Sequence, residues 1–107
     1  MFTCPVTTVR APLSTVWRLL SEPSEYERWV DATLVSVEPP GALQAGQVVR
    51  LRTRAAGRWW PVRWNVLDVD PRQSRIGLDV HLPLGIVNHE VIVLRPVSED
   101  QTFVAFN

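Results

Sequence analysis

From about residue 48 onward, apolar side chains return at every second position in segment after segment. This alternation limits what the chain can fold into more than any other feature. Val49, Leu51 and Thr53 alternate with Arg50, Arg52 and Arg54. Trp60, Val62, Trp64 and Val66 alternate with Pro61, Arg63, Asn65 and Leu67, and Ile76, Leu78, Val80 and Leu82 with Arg75, Gly77, Asp79 and His81. A period of two sends one set to each face of a pleated strand. Residues 5–9, 33–38, 86–95 and 102–106 read as further strands. Between them lie turn-forming runs: Pro39-Pro40-Gly41, Ala55-Ala56-Gly57, Asp70-Pro71-Arg72-Gln73-Ser74 and Pro83-Leu84-Gly85. Connections this short predict an antiparallel meander, because parallel neighbours need a crossover of roughly a dozen residues or more.

The N-terminal third has a different period. Leu13, Val16, Trp17 and Leu20 fall at i, i+3, i+4 and i+7, one stripe of an amphipathic helix. Pro12 suits its first turn, where the missing N–H would have had no partner. A second short helix is expected from Pro23 to Trp29, with Tyr26 and Trp29 inward and Glu22, Glu25, Glu27 and Arg28 outward. Helices of about ten and seven residues are unstable alone, so both must pack on the sheet. The fold class expected is therefore α+β: a curved antiparallel sheet of six to seven strands with two short N-terminal helices. A chain of 107 residues forms one domain.

Composition narrows the functional classes. With 46% hydrophobic and 21% charged residues the chain is globular. No apolar run approaches the roughly 20 residues that span a bilayer, and the start lacks the pattern of a secretory signal. The single cysteine, Cys4, cannot form an intramolecular disulfide, so a cytoplasmic location is expected. Eleven basic side chains, all arginine, balance eleven acidic ones, which disfavours non-specific nucleic-acid binding.

The order of these features resembles the START-like (SRPBCC, helix-grip) superfamily, the polyketide cyclase/dehydrase and lipid transport type. The carrying residues are Val9, Ala11, Pro12, Val16, Trp17 and Leu20, then Trp29, the region from Gly41 to Gly46, and Val66 with Asp70 and Pro71. Leu94, Pro96, Thr102 and Val104 complete the pattern. The resemblance implies an apolar cavity between the sheet and a long C-terminal helix. No helix follows the strand ending at Asn107, so the expectation is a domain truncated at its C-terminus, or a face covered by a second molecule.

Chemistry-bearing residues are sparse. His81 and His89 have no metal-ligand spacing and no cysteine pair accompanies them, so neither a metal nor a cofactor is expected. Cross-strand pairing would set His89 opposite Asp79 on the outer face, an ordinary contact. Neither Cys4 nor any serine has a nucleophile's surroundings. The strand at 86–95 has two possible phases. One turns Asn88, Glu90, Ile92 and Leu94 inward; the other turns Val87, His89, Val91 and Val93 inward. The resemblance favours the first through Leu94. A carboxyl facing a dry cavity would then be a candidate acid or base, while the plain alternative is a solvated or arginine-paired glutamate. Trp60 and Trp64 share a face and either line a pocket or simply fill the core. The Arg50, Arg52, Arg54 stripe reads as a solvated outer face, with a weak anionic-surface site as the lesser alternative.

Three functions follow. The first is binding or transport of a small hydrophobic molecule against Val49, Leu51, Trp60, Val62, Trp64, Ile76, Leu78, Asn88 and Glu90. The second is a cyclase- or dehydratase-type enzyme using Glu90 with Asn88. The third is an interaction module, including a homodimer, formed through the uncovered sheet face.

Overall fold

The computed structural model describes residues 6–28 and 30–106. The expectations placed on Cys4, Pro5, Trp29 and Asn107 lie outside the described residues. The elements run β1 (Val6–Val9), α1 (Leu13–Ser21), a 3-10 helix (Pro23–Arg28), β2 (Thr33–Glu38), β3 (Val48–Ala55) and β4 (Arg58–Asp70). There follow β5 (Arg75–His81), a 3-10 turn (Pro83–Gly85), β6 (Val87–Ser98) and β7 (Gln101–Phe106). The strands form one curved, unclosed seven-stranded sheet in the order β1-β7-β6-β5-β4-β3-β2, every pair antiparallel. The meander read from the turn spacing is what forms, and β1 closes against β7 at the far end.

Helix α1 buries the stripe its sequence marks. Val16 and Leu20 are buried and Leu13 and Trp17 pack against the same core. The Pro12 carbonyl accepts the first helical bonds from Thr15 and Val16 at 3.0 and 3.1 Å. The expected second helix is tighter than an α-helix. It is a 3-10 helix of six residues, Pro23–Arg28, that follows extended Glu22. Tyr26 still points inward, 1% exposed, and its hydroxyl donates to the Leu20 carbonyl at 2.7 Å. That bond ties the 3-10 helix to the end of α1.

Strand register explains the single core. Directly paired residues share a sheet face. The series Val49–Trp64–Val80–Asn88 and Val66–Leu78–Glu90 therefore put their side chains on one side. Val49, Leu51, Val66, Ile76, Leu78, Ile92, Leu94 and Val104 of this face are buried with Val16, Leu20, Tyr26 and Leu43. Strand β4 alternates cleanly only to Val66. An irregularity between Val66 and Asp68 inserts one residue, so that Val69, opposite Ile76, also faces the core. Opposite this bulge stands Gly77, where any Cβ would run into the Asp68 carboxylate. The β3–β4 hairpin turns on Ala56 and Gly57, both at positive φ, as a two-residue turn between right-twisted strands requires.

Two buried polar side chains hold the connections, and periodicity does not mark either. Gln47, 0% exposed, donates to the Pro39 carbonyl at 2.8 Å and orders the loop before β3. Thr102, also 0% exposed, donates to the Ala11 carbonyl at 2.8 Å and fastens β7 to the start of α1. Thr102→Val keeps the shape and leaves that acceptor unsatisfied, so we expect a loss of about 1–3 kcal/mol in urea unfolding. A loss under about 0.3 kcal/mol would show that the bond contributes nothing.

Candidate ligand-binding face

The candidate site is the part of the concave face that α1 and the 3-10 helix leave open. Val49, Leu51, Ile76 and Leu78, expected as lining, are 0–2% exposed and belong to the packed core. Trp60, Val62, Trp64, Asn88 and Glu90 are half-buried on the same face, joined by Val80. The structure thus divides the expected lining into a sealed floor and an accessible patch.

The two tryptophans play different parts. The Trp64 ring lies 5.2 Å from that of Tyr26, tilted by 50°, so one side of it is held by the core. Trp60 stands at the hairpin end, where its indole N–H donates to the Ala55 carbonyl at 3.0 Å and the Arg58 guanidinium lies 4.9 Å from its ring. Burial pushes the Tyr26 phenol well above its ordinary value, and the nearby Glu22 carboxylate adds to the effect. Tyr26 therefore stays neutral beneath this patch.

Strand β6 adopts the first of its two phases. Asn88 pairs with Val80 and Glu90 with Leu78, which carries both polar side chains to the concave face. Among the described residues, neither side chain has a hydrogen-bond or ion-pair partner. Glu90 is half-buried rather than enclosed, so the dry surroundings that would favour acid or base chemistry are not supplied by these residues. His89 points the other way, and its Nδ1 meets Asp79 Oδ1 at 2.8 Å on the outer face, the cross-strand contact expected. No group of three or more His, Cys, Asp or Glu side chains gathers among the described residues.

The sequence missed a second apolar opening. Val9, Ala11, Val16, Leu19, Val104 and Phe106 line much of a cleft of about 210 Å³ between β1, β7 and α1. Phe106 is opposite Ile92, diagonal to Glu90 on the concave face. Leu19 lies off the helical stripe, but beside Leu20 it widens the apolar arc. That is the signal which would have found the cleft.

A curved, unclosed antiparallel sheet whose apolar face packs on two short N-terminal helices is consistent with the helix-grip fold. The chain belongs to the polyketide cyclase/dehydrase and lipid transport family, whose sequence profile matches residues 4–106. No protein of curated function matches it in sequence. Among solved structures it is similar to DynU16, a putative protein in the dynemicin biosynthetic locus, at 20% identity and TM-score 0.71. That match covers 98% of this chain and 36% of DynU16. Protein Ms6760 from Mycobacterium smegmatis matches at 16% identity and TM-score 0.74 over 94% of this chain and 67% of its own. Norcoclaurine synthase from Thalictrum flavum, in complex with dopamine and hydroxybenzaldehyde, matches at 16% identity and TM-score 0.68. Here the coverage is 97% of this chain and 65% of the synthase. The chain therefore spans about a third of DynU16 and about two-thirds of the other two. At these identities the likeness is one of fold. No helix among the described residues is long and apolar enough to cross a membrane.

Proposed function

We propose that the chain binds a small hydrophobic molecule, with a flat ring system favoured, on the open part of the concave face. One observation carries this reading. Trp60, Val62, Trp64 and Val80 form a half-buried apolar surface with only Asn88 and Glu90 as polar groups beside it. Such a surface gains roughly 25 cal/mol for each Å² a ligand covers, and indole faces stack on flat rings. The two amide and carboxyl groups would orient the ligand, as a few polar groups do in an apolar pocket. The ring compounds held by norcoclaurine synthase support this reading through fold alone.

Titration with the neutral dye N-phenyl-1-naphthylamine tests it. Dye fluorescence should rise saturably, and Val80→Arg, with its fold checked by circular dichroism, should weaken binding at least about ten-fold. A dye response absent in the native chain, or unchanged in the variant, would refute the reading. A second reading, a cyclase- or dehydratase-type reaction on a polyketide-like substrate, draws on the unpartnered Glu90 carboxyl of this face. The two separate in Glu90→Gln. A carrier keeps its dye affinity and has no turnover to lose, whereas an enzyme keeps the affinity and loses its turnover.

A further inference from the structure

A groove of about 630 Å³, lined mostly by side chains of the outer face, shares only Val62 with the surface of the ligand-binding proposal. Its wall includes Arg50, Arg52, Arg63, His81, Trp59 and Pro61, and no carboxylate lines it. The register makes this arrangement costly. Arg50 of β3 is directly opposite Arg63 of β4, which in turn is directly opposite His81 of β5. Arg50 and Arg63 are like charges directly opposite on antiparallel strands, which destabilises a sheet. Asp79, the acid nearby on the outer face of β5, is already engaged by His89 at 2.8 Å. Among the described residues, no ion pair neutralises Arg50, Arg52 or Arg63. The Arg63 Nε is buried without a hydrogen-bond partner, although buried donors are nearly always satisfied.

The groove is also preorganised. The Arg52 and Arg54 guanidinium carbons lie 4.7 and 5.6 Å from the centre of the Trp59 ring. A guanidinium held face-on by an indole keeps its edge N–H groups free to clamp an oxyanion. At His81, the Asn65 Nδ2 amide donates to Nε2 at 3.2 Å, because an amide nitrogen can only donate. That leaves the other ring nitrogen as an N–H donor. Trp59, 47% exposed, and Pro61 supply an apolar wall beside these donors.

We infer that this outer groove is an oxyanion site that takes the phosphate group of a small molecule with an apolar or aromatic body. Several guanidinium groups converging on one place suit a group carrying about two negative charges, as a phosphate monoester does. The source is a small molecule, not a polyanion or a charged bilayer. A chain of zero net charge has no overall attraction for either, and the groove holds three arginines, Arg50, Arg52 and Arg63, with no carboxylate in its lining.

The test uses the full chain with phenyl phosphate, inorganic phosphate and phenol, at ionic strength matched with sodium chloride. Phenyl phosphate should shift the Arg63 Nε–H and Trp59 indole N–H resonances saturably and raise Tm. Inorganic phosphate should do the same more weakly, and phenol should do neither. Arg50→Gln should raise Tm without ligand at low salt, because it removes the like-charge contact, and should weaken phenyl phosphate at least ten-fold. Arg52→Gln should weaken it similarly. Both variants should keep native affinity for N-phenyl-1-naphthylamine on the concave face, so failure at one face is told apart from failure at the other. Shifts no larger than chloride produces, or undiminished binding in Arg50→Gln, would overturn the inference. So would a single-stranded oligonucleotide or phosphatidylglycerol vesicles that bind while both small phosphates do not.

Discussion

Ile76→Ala should cost about 2–5 kcal/mol of unfolding free energy, read as a lowered urea midpoint at unchanged slope. Ile76 is 1% exposed and stands between Val69 and Ile92 near the middle of the sheet. Its neighbours are strand residues fixed by ladders on both sides, so they collapse poorly into the space left behind. Truncation then adds a cavity cost to the lost transfer energy. For a domain of this size each kcal/mol lowers Tm by about 4–8 °C, so the variant should melt well below the native chain. Leu84→Ala is the natural control. That side chain is 92% exposed, and its loss should stay within about 0.5 kcal/mol. Equal effects at the two positions would mean that the concave face is not the core.

Alkaline unfolding should be governed by one phenol. Tyr26 is the only tyrosine, and the chain has no lysine, so few other groups titrate above pH 9. Burial, with the Glu22 carboxylate second, holds the Tyr26 phenol above its ordinary value of about 10. The unfolded chain therefore releases this proton at a lower pH than the folded one. The contribution is intact below about pH 10 and falls as pH rises toward the folded value, by up to about 1.4 kcal/mol per pH unit. Tyr26→Phe should flatten this decline. At neutral pH it should cost about 0.5–1.5 kcal/mol through loss of the hydroxyl bond to the Leu20 carbonyl. Absorbance of the single phenolate checks the premise directly. If it appeared near pH 10 in the folded protein, the phenol would not be shielded.

Alternation and turn chemistry made the meander, the inward row from Val49 to Leu78 and the α1 stripe legible in the sequence, because each is a local consequence of backbone period. The phase of β6 was harder. Hydrophobicity alone favours Val87, His89, Val91 and Val93 inward, and only pairing with β5 fixes Glu90 opposite Leu78. Local pattern also fails to show which inward residues a ligand can reach. Leu78 and Trp64 share a face, yet the first is sealed and the second is half open, depending on where α1 and the 3-10 helix come to rest. The hydrogen-bonding roles of Gln47 and Thr102 were illegible for a related reason. A buried polar residue is recognised by its partner, and Thr102 finds Ala11 only after the chain has closed on itself. The arginine stripe was visible. Its meaning changed with the register, which set Arg63 directly beside Arg50 and His81 instead of beside an acid.

The border formed by β2 also constrains how copies of this protein can meet. Its ladder to β3 breaks between Leu34 and Ser36, leaving Val35 out of step and 58% exposed. The Glu27 carboxylate occupies the Leu34 N–H at 3.1 Å, and Pro39 and Pro40 follow immediately. A kinked rim with an occupied donor and two imino acids beyond it is a poor template for an incoming strand. Rim-to-rim recruitment of a further strand is thereby disfavoured on this side.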